Sequence, residues 1–189
     1  VTETKNGIKI EPRDRQKYET ISQGYLVWIK NKPNCLGVYV FHYANGKSFA
    51  SPWLLTHHNG SLRPQYWAIR EAYTGEKPLN NVPVIKSFSL PESKFTSSTW
   101  VPVSLDVLDI EHENLEISFY YNQRTGSRKR RDQINKLEYR GNIKSGFEIR
   151  LPKEHGFIKV YVNVKDTYNN IGIASTSIEV HDDAAKDKK

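Results

Sequence analysis

A single cysteine, Cys35, occurs in the 189 residues, so the chain cannot close an internal disulfide and cysteine usage leaves its redox compartment open. No stretch approaches eighteen consecutive apolar residues, and the N-terminus has no basic-then-apolar leader pattern. A mature chain, a fragment and a cytosolic protein would share these features. No Gly-rich phosphate loop, nucleophile elbow or Ser/His/Asp ordering stands out, and not one Asp or Glu lies between Leu36 and Arg70.

What is present is enough to fold. Hydrophobic residues make up 37% and aromatics 12%, spread evenly along the chain, which argues against disorder over most of its length. The length suits one ordinary domain or two small ones. The formal charge of +7 is unevenly placed: residues 1–94 hold 13 Lys/Arg against 7 Asp/Glu, and residues 95–189 hold 15 against 14. The one dense basic run, Arg128-Lys129-Arg130-Arg131, therefore sits in the nearly neutral half, whereas a nucleic-acid-binding domain carries a domain-wide positive field. Binding of RNA or another polyanion through that loop is a weaker alternative.

The first half reads as helix, strand, loop, helix. Glu11-Pro12 opens a helix in which Tyr18, Ile21, Tyr25, Trp28 and Ile29 recur at helical spacing; Gly24 weakens it and Pro33 ends it. Cys35 to Tyr43 is a run of apolar, β-branched and aromatic residues without alternation, the pattern of a strand buried on both faces of a parallel sheet, and Cys35 is expected to be buried there as an inert hydrophobe. Arg63-Pro64 opens a second helix, with Tyr66, Trp67, Ile69, Arg70 and Tyr73 at 3–4 spacing and Gly75 as its C-terminal cap.

Past Pro78, Asn80, Asn81 and Pro83 the period changes from helical to two. Strands are expected at Val84–Leu90, Trp100–Leu108, Leu115–Asn122, Gly146–Leu151, Phe157–Lys165 and Ile171–Val180. In the second of these Val101, Val103, Leu105 and Val107 share a face, and in the fifth Ile158, Val160, Val162 and Val164 do. Short alternating strands at near-regular spacing point to an immunoglobulin-like β-sandwich. Residues 123–144 are polar and basic, a long loop or an irregular edge hairpin. The expected organisation is 1–78, a linker at 79–83, the sandwich at 84–181 and a disordered tail at 182–189.

Asn34-Cys35-Leu36-Gly37-Val38-Tyr39-Val40-Phe41, preceded by Ile10-Glu11-Pro12 and followed by Trp53 and Thr74-Gly75-Glu76, resembles the C-terminal part of bacterial TIM-barrel glycoside hydrolases of the family 2 type. The β half, with Val107-Leu108-Asp109, Asn114-Leu115, Gly156-Phe157 and Val162-Asn163-Val164-Lys165-Asp166, resembles the PKD or cadherin-like modules that follow such barrels. The fold class implied is mixed: a C-terminal α/β fragment of a TIM barrel, then an all-β sandwich. The chain departs from that pattern at Tyr43, where the resemblance leads one to expect Trp.

Barrel active sites lie at the C-terminal ends of the strands, so side chains from His42 onward would face the cleft. Retaining glycosidases need two carboxylates roughly 5 Å apart. The resemblance places both on earlier strands, so no catalytic residue is assigned here. Tyr43 and Trp53 are candidate flat surfaces for a sugar ring, with His42, His57 and His58 as hydrogen-bonding groups. The adjacent pair His57-His58 is a poor chelate and no metal or cofactor is assigned. The acidic turn at Asp109, Glu111, Glu113 and Asn114 reads as solvated rather than as a calcium loop. Asn59-Gly60-Ser61 is a glycosylation sequon in form.

The leading expectation is the C-terminal portion of a secreted, periplasmic or cell-surface glycoside hydrolase, lacking the catalytic carboxylates. Its partners would be an oligosaccharide or polysaccharide and the missing N-terminal barrel segment, with no membrane span and nucleic acid unfavoured. The alternative is a non-catalytic glycan-binding or adhesion module in which residues 1–80 form a helical cap on the sandwich.

Overall fold

A computed structural model describes residues 8, 10–39, 54–112, 114–124 and 133–182. Helix α1 spans Asp14–Tyr25 and runs on as a π-helical turn, Leu26–Lys30. Its start is fastened by the Arg13 backbone N–H, which donates to Gln16 Oε1 at 2.9 Å and so satisfies one of the donors that a helix N-terminus leaves over. Helix α2 spans Pro64–Thr74. Proline opens it, where a missing N–H costs nothing, and Gly75 at φ 74° closes it by donating to the Glu71 carbonyl at 2.8 Å.

Among the described residues nine strands follow: β1 Val84–Ser89, β2 Lys94–Thr96, β3 Trp100–Leu108, β4 Glu116–Gln123, β5 Asn135–Lys136, β6 Tyr139–Asn142, β7 Gly146–Arg150, β8 Gly156–Lys165 and β9 Ile171–His181. They form two sheets, ordered β1-β3-β7-β6 and β2-β9-β8-β4-β5, antiparallel throughout except for the β2–β9 pair. The six strands expected from alternation are all present within a residue or two at each end. The short edge strands β2, β5 and β6 carry too few residues for a period to show.

The sandwich core lies between the sheets. Val101 and Val103 of β3 and Phe147 and Ile149 of β7 face Ile117, Phe119 and Tyr121 of β4 and Ile158, Val160, Val162 and Val164 of β8. Aromatic rings fix the centre: Phe119 meets Phe147 edge-on at 5.5 Å and Tyr139 at 5.4 Å, a geometry that places positive ring edges on negative ring faces.

Strand β8 is buried on its other face too, where Lys159, Tyr161 and Asn163 are each at most 5% exposed. Elements ahead of the sandwich cover them. Glu11 takes the Lys159 ammonium at 2.7 Å, Asp14 Oδ2 accepts the Ile173 backbone N–H at 2.7 Å, and Leu62 bridges to Asn170. A buried ammonium without a carboxylate beside it would be costly, so the Glu11–Lys159 pair holds the lead-in to the sheet. The molecule is thus layered as helices, five-stranded sheet, four-stranded sheet. Asn80 and Asn81, ahead of β1, are tied down as well, since Asn80 Oδ1 accepts from Asn170 Nδ2 at 2.9 Å and both Asn81 N and Nδ2 donate to Glu111 Oε1.

One expectation is corrected. Over residues 35–39 the anticipated buried strand is not formed: Leu36 and Tyr39 are fully exposed, Val38 is half exposed, and Cys35 is only partly buried, its Sγ 3.5 Å from the Gly37 carbonyl. Residues 40–43 lie outside the described set. An apolar run without alternation records only that burial would be favourable, and among the described residues no neighbouring strand is in place to supply it. Among the described residues ahead of Val84 there is no strand, so the barrel fragment is not seen in them; α1 and α2 pack on one another and on the sandwich. No helix among the described residues is long and apolar enough to cross a membrane.

Candidate functional site

Of the residues singled out as sugar contacts, His42, Tyr43 and Trp53 lie outside the described residues. His57 and His58 lie at the junction between helices and sandwich, with ring centroids 4.0 Å apart. His57 is 4% exposed. Its Nδ1 stands 2.9 Å from Asn59 Oδ1 and its Nε2 3.4 Å from Asn163 Nδ2, which sets a neutral ring that donates through Nδ1 and accepts at Nε2. Burial pushes its pKa down to about 3, and the positive charges of Arg63 and Lys165 push the same way. His57 is therefore a packing and hydrogen-bonding residue of the junction, out of reach of a ligand in solution. His58 is exposed beside it, its pKa lowered by partial burial.

The sequon is folded into the same junction. Asn59 Oδ1 also accepts the Ser61 backbone N–H at 3.0 Å, and the fully buried Ser61 hydroxyl donates to Asn169 Oδ1 at 2.8 Å. The Ser61 hydroxyl of the sequon is therefore buried and engaged, while Asn59 itself is exposed. Among the described residues no three His, Cys, Asp or Glu side chains gather in a way that could hold a metal ion.

A more open arrangement lies on the four-stranded sheet, and the sequence reading had not singled it out. Strand β3 begins with Trp100. Ahead of it the chain turns through Ser98 at φ 59°, held by the Ser98 N–H donating to the Pro152 carbonyl and the Ser97 N–H to the His181 carbonyl. Because Val101 points into the core, Trp100 and Pro102 point out, and the β3–β7 register sets Trp100 opposite Arg150 and Pro102 opposite Glu148. The β6–β7 register then brings Arg140 opposite Glu148. The outer face of this end of the sheet thus carries one indole surrounded by charged groups.

The indole is held on one ring face and stays partly exposed. The Arg140 guanidinium carbon lies 4.5 Å from the ring centroid, a cation–π contact, and Arg140 Nε is anchored by Glu148 Oε2 at 2.6 Å. Arg150 Nη1 pairs with Glu138 Oε2 at 3.2 Å. Trp100 keeps 36% of its surface exposed. It forms a shared wall of two hollows: one of about 420 Å³ on the side of Phe95, Thr96 and His181, and one of about 550 Å³ on the side of Lys136, Leu137, Glu138 and Tyr139. Both are shallow, open depressions rather than enclosed pockets. Chemically this is a flat apolar surface edged by hydrogen-bond donors and acceptors held in fixed positions by their ion pairs.

No family model matches the chain, and no curated protein matches it. Solved structures do show likeness. One comes from work on the promiscuous specificity of carbohydrate-binding modules of the β-sandwich superfamily, at 15% identity and TM-score 0.39, over 56% of this chain and 37% of that one. Another is a nucleoside hydrolase-related protein from Saccharophagus degradans associated with carbohydrate metabolism, at 14% identity and TM-score 0.39, over 66% of this chain and 34% of that one. A third is the PKD1 domain of Vibrio anguillarum Epp, at 16% identity and TM-score 0.33, over 55% of this chain and 98% of that one. The chain spans little more than a third of the first two structures. The β-sandwich assignment rests on the two facing sheets themselves.

Proposed function

We propose that the chain is a non-catalytic glycan-binding module of an extracellular or cell-surface protein, with a helical cap docked on one sheet and a sugar platform around Trp100 on the other. The observation that supports this reading is Trp100 itself: an outward-facing tryptophan, oriented by Arg140, that stands between two hollows. Pyranose rings present patches of C–H bonds that stack on an indole face, and their hydroxyls need donors and acceptors at its rim, which Glu138, Arg150 and Lys136 supply. Because the ring is already oriented, little side-chain freedom is lost on binding. Retention on insoluble polysaccharides tests the reading. Wild type is expected to be retained and Trp100→Ala to pass through while keeping its thermal midpoint within a few degrees. Equal retention of both proteins would defeat it.

A second reading keeps the hydrolase resemblance. Trp28 at 69% exposure and Leu36 and Tyr39 at full exposure leave large apolar groups uncovered on the helical side, and contiguous exposed apolar surface marks interaction sites. In that reading a catalytic barrel segment covers them, and Tyr43, Trp53, His42 and His58 line its cleft. The test is whether Trp28→Glu lowers the association of this chain with such a segment.

A further inference from the structure

From the charges around Trp100 we infer the ligand class, an inference that rests on the glycan-binding reading: the platform takes an internal stretch of a neutral polysaccharide, the chain passing over Trp100 from one hollow into the other. Among the described residues the rim is charge-balanced in a protein that is not. Lys94 pairs with Glu179 at 2.9 Å, Arg140 with Glu148 at 2.6 Å and Arg150 with Glu138 at 3.2 Å. The remaining charged groups on the two hollows, Lys136 and Glu92, are of opposite sign. The wall of each hollow thus carries one cation and one carboxylate among the described residues, Lys94 and Glu92 in one and Lys136 and Glu138 in the other, on a chain whose overall charge is +7. A site for uronate or sulfated sugars would need cations facing the ligand without a carboxylate already beside them, because each anionic group would otherwise have to displace or approach a glutamate.

The second part follows from where the hollows lie. Trp100 borders both, so sugars on either side of it belong to one path, and among the described residues each hollow is open rather than enclosed, with no wall that would stop a chain end. One hollow is edged by β2 and β9 of the five-stranded sheet, the other by β5 and β6, so the path crosses the end of the sandwich from one side to the other.

Calorimetric titration of the full chain with two oligomer series matched in length, neutral hexose or pentose oligomers and uronate oligomers, at about 50 and about 500 mM NaCl tests both parts, since screening separates them. The expected result is binding of the neutral series, tightening as oligomers lengthen from about two to about six units. Reduction of the terminal sugar to its alditol should leave affinity unchanged. Salt should change affinity by less than about twofold, and Trp100→Ala should lower it by at least about tenfold. Preferential, salt-sensitive binding of uronates that still needs Trp100 would overturn the neutral-ligand inference while leaving the glycan-binding reading in place. Loss of affinity on end reduction would overturn the passage of the chain through both hollows. Binding of neither series would overturn the inference and the reading together.

Discussion

Trp67 of α2 donates its indole N–H to Asn170 Oδ1 at 2.8 Å, across the boundary between the helices and the turn from β8 to β9. Asn170 is 1% exposed, and its Nδ2 donates in turn to Asn80 Oδ1 and Asp166 Oδ2 at 2.9 and 2.8 Å. One side chain therefore joins helix, linker and sheet. Asn170→Ala removes all three bonds and leaves Asn80 and Asp166 buried, and the expected cost is about 3 kcal/mol, against about 1 kcal/mol for Trp67→Phe, which removes one. Urea unfolding measures both; equal small losses would show that the junction is held by apolar contact instead.

His57 makes the junction sensitive to acid. Its folded pKa is pushed to about 3 by burial, below the ordinary histidine value of 6.5. Above pH 6.5 both folded and unfolded forms are neutral and its contribution is present in full. As the pH falls toward 3 the unfolded form takes up a proton that the folded form does not, so stability declines by up to about 1.4 kcal/mol per pH unit from this group. His57→Gln should flatten that slope, measured as the urea midpoint at about pH 4 against about pH 7.

Two glycines should respond in opposite directions to alanine. A Cβ on Gly172 of β9 would lie 2.4 Å from the Pro83 carbonyl oxygen, so the linker must move off the strand, and Gly172→Ala is expected to cost about 2 kcal/mol. Gly24 in α1 has nothing within 4 Å of its added Cβ, and Gly24→Ala is expected to raise stability by about 0.5 kcal/mol through helix propensity. Thermal midpoints of the two variants check the contrast.

The longer strands were legible because apolar and polar residues alternate between their two faces. Val101 to Val107 and Ile158 to Val164 alternate because water lies on one side of β3 and polar capping contacts on one side of β8. Helix α2 was legible from Pro64 and Gly75 at its ends, whereas in α1 the aromatic spacing located the helix but not its buried face: Trp28 is 69% exposed and Lys17 is the buried residue. The run at residues 35–39 misled because apolar composition does not say whether a covering surface exists. Strand β8 is the element buried on both faces, and the Lys159, Tyr161 and Asn163 of its outer face disguised it. Trp100 was missed as a site although a signal was available. If Val101 and Val103 face inward, the tryptophan before them must face out, and an outward tryptophan on an alternating strand asks for a ligand.

The most direct test of the platform is a nuclear magnetic resonance titration that follows the indole N–H signals of the four tryptophans, each assigned by a Trp→Phe variant, as a neutral oligosaccharide is added. The account predicts that the Trp100 signal moves with saturation while that of Trp67, bonded to Asn170, stays in place. Movement confined to Trp28 or Trp53, with Trp100 unchanged at saturation, would contradict it.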